Sequence, residues 1–400
     1  MKPCELPGLA LVGLALVDLA APGPLPAAPP RHGLPIVKST TTPDGQTLDW
    51  VPVSSQGTAI SSPPPRPLLR RAPSRRDAAM VEAIRPSDPG PAGTVPILRA
   101  RGPTKPMKQP PRPDDHNATT AAAAAAAALS GGPPSYQGRH WYASTAQTVD
   151  NHGGTATYSL FEAFVQHASD FSLLQAAVVR NDAAHAGTPP KSQTVEAGWI
   201  NYPDQGAAPH LFSFYTTNNY ESYGDYVCGW NRDVAGWVQY DPVVYPGVAL
   251  APLAAVRGAR YEADIGFYYY QGNWWLHTLG RFVGYYPGGL FSRGVSPTDT
   301  LDHHADQISF YGEVYNGEDG LTTSDMGSGE FPDAGLGSAA YLRSIAYYDT
   351  ADSARDYDGS GHLIVSDETR YALLPACNSS SDWGTYFYIG GPGAGGVVGA

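Results

Sequence analysis

Charge is scarce in this chain. Only 16% of its 400 residues are Asp, Glu, Lys or Arg, and the formal net charge is -12. Too few cations are available to neutralise a run of phosphates, which argues against a nucleic-acid partner. Long apolar runs are also missing. The one candidate, Leu6 to Val17, is too short for a membrane span, and no later segment offers one. There is no Gly-x-Ser-x-Gly, which weakens the case for a serine hydrolase. Gly390 to Gly396 carries no Lys, Ser or Thr in phosphate-loop order, so it is not a nucleotide cradle. Cysteine is limited to Cys4, Cys228 and Cys377. No stretch has the length and period of an ordinary helix.

What is abundant points the other way. Gly (45), Pro (38) and Tyr (25) together suit many short strands joined by tight turns. The chain is also uneven. Residues 1 to 135 hold 14 Lys+Arg against 9 Asp+Glu, and residues 136 to 400 hold 11 against 28. A basic front and an acidic back can attract each other at neutral pH.

The first 28 residues have the outline of a secretory signal peptide, Lys2 followed by the apolar run and then Ala20-Ala21, although Pro7 and Asp18 depart from it. Secretion would remove Cys4, leave Cys228 and Cys377 free to pair, and open the sequons Asn117-Ala118-Thr119 and Asn378-Ser379-Ser380 to glycosylation. Residues 29 to 134 are dense in Pro and Arg and almost free of aromatics, so they cannot bury enough surface to form a packed domain. Thr42 to Pro52, with Trp50, is the one stretch fit to dock on something. Asp77 to Ile84 suits a short helix, and Ala121 to Ala128 with the following Gly and Pro is a linker.

From residue 135 onward aromatics appear every few positions. Strands are expected at His140–Ala146, Thr155–Phe164, Phe171–Val179, Gln193–Tyr202, His210–Thr216 and Ala263–Tyr270. Further strands are expected at Trp274–His277, Arg281–Tyr285, Gln307–Tyr315, Ala340–Tyr348 and Tyr386–Ile389. The fold class is all-β, an antiparallel β-sandwich of jelly-roll type over residues 135 to 400, behind a largely irregular front segment.

Two strands stand out because each carries a carboxylate among apolar and aromatic residues. In Gln193 to Tyr202, alternation sends Val195, Ala197 and Trp199 to one face and Glu196, Gly198 and Ile200 to the other. In Gln307 to Tyr315, Ile308, Phe310, Gly312 and Val314 form a core face. Glu313 shares the opposite face with Tyr311 and Tyr315, as on the floor of a cleft. Two such glutamates on one sheet would titrate as a unit, one ionised to take a proton from water, its partner protonated to polarise a carbonyl. That chemistry is peptide hydrolysis in acid with neither metal nor cofactor. The same parts would also serve a glycosidase, and an aromatic acidic cleft suits a glycan-binding module. Trp275 is a third candidate for substrate contact, beside Tyr311 and Tyr315. Asp302-His303-His304-Ala305-Asp306 reads as a solvated loop rather than a metal cluster, and Asp356 to Gly361 as a turn that lacks the later acid of a calcium loop.

The second half of the chain resembles the neprosin family of secreted glutamic endopeptidases. The resemblance runs from about Gly138 to Gly393. It is carried by Phe171-Ser172-Leu173-Leu174-Gln175, Val195-Glu196-Ala197-Gly198-Trp199, Gly272-Asn273-Trp274-Trp275-Leu276 and Val283-Gly284-Tyr285-Tyr286-Pro287. It continues through Gly312-Glu313-Val314, Met326-Gly327-Ser328-Gly329, Asp382-Trp383-Gly384-Thr385-Tyr386-Phe387-Tyr388 and Gly390-Gly391-Pro392-Gly393. The resemblance implies a β-sandwich with a cleft across one sheet and catalytic glutamates at Glu196 and Glu313. It further implies a pro-segment removed in acid, peptide substrates and a preference for cleaving after proline. A monomer is expected. Relatives commonly have two short-range disulfides, and Cys228 and Cys377 depart from that pattern. The basic front segment would then lie on the acidic cleft at neutral pH and leave as carboxylates protonate.

Overall fold

The computed structural model describes residues 32–57, 59–65, 78–102, 104–110, 135–359, 362–374, 377–378 and 383–395. The segments expected as signal peptide and linker, and the Asn117 sequon, lie outside these residues, as do the side chains of Cys377 and Asn378. Cys228 is a buried free thiol.

The front region contributes β1 (Lys38–Thr41), β2 (Thr47–Pro52), β3 (Ala79–Met80), β4 (Glu82–Ala83) and β5 (Thr94–Leu98). The remainder forms β6 (Arg139–Ser159), β7 (Phe171–Ala183), β8 (Lys191–Asn201), β9 (His210–Thr216), β10 (Cys228–Trp230), β11 (Val238–Gln239) and β12 (Leu250–Ala251). It continues with β13 (Tyr261–Tyr270), β14 (Asn273–Thr278), β15 (Arg281–Pro287), β16 (Ala305–Asn316) and β17 (Ala340–Asp349). The last five are β18 (Ala354–Asp356), β19 (His362–Val365), β20 (Ala372–Leu373), β21 (Cys377–Asn378) and β22 (Thr385–Gly390).

The strands pack as an antiparallel β-sandwich. One layer runs β10-β9-β8-β7-β16-β6-β19. The other runs β11-β15-β14-β13-β6-β17-β22-β20. The 21-residue β6 belongs to both, pairing through Arg139 to Thr148 with β16 and through Asn151 to Ser159 with β13 and β17. Two strands expected from the sequence are therefore one. The stretch Asp150-Asn151-His152-Gly153-Gly154 is where the strand passes from one layer to the other. A Cβ on Gly153 would meet the Phe267 carbonyl oxygen at 2.2 Å, and one on Gly154 the Ala346 oxygen at 2.6 Å. These glycines permit close approach rather than ending the strand.

Alternation builds the core. Val195, Ala197 and Trp199 of β8 and Ile308, Phe310 and Val314 of β16 face Ala263, Ile265 and Phe267 of β13 with Trp274 and Leu276 of β14, in one buried cluster. The opposite face of β8, β7 and β16 points away from this core and carries the acidic residues.

The front region is more ordered than its composition suggests. β1, β2 and β5 make a three-stranded sheet with its own apolar cluster of Val51, Val95 and Ile97. Leu48 and Trp50 of β2 reach into the sandwich core, as the docking stretch requires. The short helix expected at Asp77–Ile84 is replaced by extended chain over its described residues. Ala79–Met80 pairs in parallel with β13, and Glu82–Ala83 pairs with β12. A helix of two turns is marginal alone, whereas these edges offer unpaired backbone groups.

Candidate active site

Three adjacent strands, β8, β7 and β16, set the geometry. Across them Glu196 is level with Ala177 and Ser309, Gly198 with Gln175 and Tyr311, and Ile200 with Leu173 and Glu313. Glu196 and Glu313 thus lie on the same sheet face, flanking β7 and offset by two rows. Both are fully buried.

Glu196 is held by hydroxyl donors. Thr194 Oγ1 and Tyr220 OH donate to its Oε1 at 2.7 and 2.5 Å, and Tyr311 OH donates to Oε2 at 3.2 Å. Tyr220 reaches it from the loop after β9. Asn219 and Tyr220 both take φ of 60°, a left-handed turn uncommon for such residues, and the ring stacks on Phe214. Burial pushes the Glu196 carboxyl up to about 7. The hydroxyl donors pull down against that, and the nearby charge of Glu313 adds to it.

Glu313 has a different environment. Its Oε1 shares a 2.5 Å hydrogen bond with Nδ1 of His140, at the start of β6. Burial raises the Glu313 carboxyl well above its ordinary range, with Lys108 pulling the other way. Burial and then the Lys108 charge push His140 down to about 3. Burial thus favours the uncharged form of both partners, a hydrogen bond rather than an ion pair. Glu313 Oε2 and His140 Nε2 are buried with no partner among the described residues. Tyr142, Tyr220 and Tyr311 are all raised well above 10, first by burial and then by the neighbouring carboxyls, so they remain donors.

A segment of the front region, residues 104–110, crosses this face. Met107 is fully buried against Phe171, Leu173, Ile200, Tyr202, Phe214, Trp230 and Tyr315. Its N–H donates to Tyr223 OH at 2.6 Å, and Tyr223 OH donates to its carbonyl at 3.2 Å. Lys105 N–H donates to Tyr202 OH at 3.0 Å, Trp230 Nε1 donates to the Lys105 carbonyl at 2.8 Å, and Tyr142 OH donates to the Lys108 carbonyl at 2.9 Å. The site binds extended peptide backbone through phenol and indole groups.

Of the five positions singled out in the sequence, four gather here. Tyr311 bonds Glu196, and Tyr315 stacks on Phe171 at 5.2 Å beside Met107. Trp275 does not join them. It is buried with Val238 and Tyr285 beneath Ile60, in the other layer, because only its neighbour Trp274 faces the core. His140, Tyr142, Tyr220 and Tyr223 were not anticipated. Only their density of Tyr offers any signal, since the partnership with the glutamates is made between distant strands.

An all-β sandwich with two buried carboxyls on one sheet face, beneath a bound peptide segment, is the architecture of a carboxyl-dependent hydrolase. Residues 168–392 match the neprosin family, and the chain belongs to that family and with it to the glutamic-type peptidases. Solved structures to which it is similar include SCP-B, a member of the eqolisin family of peptidases, in complex with the tripeptide Ala-Ile-His. Identity there is 8%, over 63% of this chain and 98% of that one, with a TM-score of 0.31. Scytalido-glutamic peptidase with a transition state analog inhibitor is similar at 9% identity, over 63% of this chain and 97% of that one, with a TM-score of 0.31.

Proposed function

We propose that the protein is a secreted, acid-active glutamic endopeptidase in which Glu196 and Glu313 form the catalytic dyad. The observation that carries this is the pair of buried carboxyls flanking β7 with opposite hydrogen-bonding environments. Three donors favour the ionised form of Glu196, so once residues 104–110 leave and water enters, lifting the burial that holds it at about 7, Glu196 is the group that ionises first and acts as general base. Neutral His140 leaves Glu313 protonated, with Oε2 free to donate. Glu196 takes a proton from water as the water oxygen bonds to the peptide carbon, and Glu313 gives its proton to the carbonyl oxygen. The tetrahedral species then collapses. Glu196 passes its proton to the leaving nitrogen, the C–N bond breaks, and Glu313 recovers a proton from the hydroxyl.

The same reading makes residues 29–134 a pro-segment, behind a signal peptide at 1–28 and ahead of a monomeric peptidase unit at 135–400. Residues 104–110 block the cleft by binding it as substrate would. The ring-walled pocket that takes Met107 suits a compact apolar side chain, proline included, in keeping with cleavage after proline. Tyr142, Tyr220 and Tyr311 bond carboxyls or backbone rather than presenting open rings, which speaks against a glycan platform.

The test is digestion of azocasein at about pH 3 by the protein and by its Glu196→Gln and Glu313→Gln variants. Each substitution is expected to lower the rate by at least about 100-fold. Full activity in either variant rules out the dyad. Release of reducing sugar from polysaccharide, with casein left intact, would favour a glycosidase.

A further inference from the structure

Gln175 lies midway on the diagonal that joins the two glutamates, one strand and one row from each. In a sheet such diagonal neighbours are about 7–8 Å apart, within reach of long side chains. Its side chain is completely buried, yet neither Nε2 nor Oε1 has a partner among the described residues. Leaving a carboxamide buried and unpaired costs the desolvation of each group with no bond in return. A residue that merely filled space would be Leu or Met. Room for the amide comes from Gly198, directly opposite. A Cβ there would fall 2.8 Å from the Gln175 Cβ. The remaining unpartnered atoms of this face, Glu313 Oε2 and His140 Nε2, belong to the neighbouring carboxyl and its partner.

We propose that Gln175 is a third catalytic group of this site, resting on the peptidase reading above. Its amide N–H donates to the substrate oxygen as negative charge develops there, and its carbonyl accepts a hydrogen bond from the attacking water. No proton leaves Gln175, so both glutamates keep the roles already described. The oxygen thus meets two donors in the transition state, Glu313 from one side and Gln175 from the middle row.

The experiment compares the acid-activated protein with Gln175→Met and Gln175→Glu on one fluorogenic peptide, measuring kcat, KM, thermal midpoint and affinity for a peptide bearing a statine hydroxyl. Gln175→Met removes both hydrogen-bonding ends at constant length. Its kcat is expected to fall by about 100-fold, the cost of one such donor. KM should stay unchanged, the midpoint should hold or rise, and statine affinity should fall with kcat. Gln175→Glu donates only while protonated, so its activity should match the unaltered protein more closely at about pH 3 and fall off earlier as pH rises. Unchanged kcat in Gln175→Met overturns the proposal, as does a loss confined to KM. Should Gln175→Met not fold, a pH profile of Gln175→Glu parallel to that of the unaltered protein overturns it. An unaltered protein that cleaves no peptide at any pH overturns the peptidase reading itself, and the role of Gln175 with it.

Discussion

At the scale of single residues, Glu196 and Glu313 differ through their partners rather than through burial, which is complete for both. Because folding raises the Glu196 carboxyl from 4.5 to about 7, burial is tolerated best when it is protonated. Its contribution to stability is fully present below the unfolded value and is lost as pH rises through about 7. A shift of that size corresponds to about 3 kcal/mol at the alkaline end. Glu196→Gln, which has no charge to bury, is expected to raise the urea midpoint of the intact chain at about pH 8 and leave it almost unchanged at about pH 4. Equal midpoints at both pH values would show that the carboxyl is not held up by burial. His140 carries the opposite sign. Its folded value near 3 lies below the ordinary 6.5, so its contribution is present at neutral pH and is lost as pH falls toward 3.

At the scale of elements, the face assignments of β8 and β16 were legible because period-two alternation is a local property of each strand. Val195, Ala197 and Trp199 do face the core, as do Ile308, Phe310 and Val314. The tertiary partners of those strands were not legible. That His140 meets Glu313, or that Gln175 falls between two glutamates, depends on register between strands far apart in the chain. Trp274-Trp275 shows the limit most clearly. Alternation says that one ring is core and the other faces outward, without saying which sheet the pair belongs to or what covers it. Trp275→Phe is accordingly expected to lower the thermal midpoint while leaving kcat and KM for peptides unchanged; a raised KM would return Trp275 to the substrate path. Gly153-Gly154 is a similar case, since glycine marks both turns and close crossings. Gly198 is more constrained, because an added Cβ would meet the Leu174 carbonyl oxygen at 2.0 Å. Gly198→Ala should therefore push β8 from β7, lower the thermal midpoint and lower kcat together. A normal kcat in that variant would show that the spacing of the two carboxyls is not critical.

At the scale of the whole molecule, the ion pairs of the front region's described residues stay within that region. Lys38 and Arg99 form ion pairs with Asp88 and Asp49 of the same region. Among the described residues the hydrogen bonds and apolar contacts across to the sandwich include neutral ones: Gln56 exchanges bonds of 2.8 Å with the Gln239 backbone, Ser61 N–H donates to Tyr285 OH at 3.1 Å, and Leu48, Trp50 and Met107 are buried in apolar clusters. Salt screens exposed charges beyond about 3 Å at 1 M, so salt at neutral pH should not free residues 104–110. Acid is expected to act on one contact instead. Lys108 approaches Glu313 and His140, with Tyr142, Tyr223 and Glu196 as the other titratable groups around the same face. Since Lys108 makes His140 harder to protonate, protonating His140 must weaken the hold on Lys108 by the same free energy. Neutral Glu313 offers no charge to offset the two cations. Hydrogen exchange of the Met107 amide, which donates to Tyr223, reports this release in a Glu196→Gln background, chosen because it is expected to be inactive. Protection should persist in 1 M salt at about pH 7 and disappear as pH falls toward 3. In Lys108→Met the loss should move to lower pH, because only the desolvation of His140 then remains to couple its protonation to release. Protection lost to salt at neutral pH would restore bulk attraction as the cause, and an unmoved midpoint in Lys108→Met would exclude the Lys108–His140 contact as the trigger.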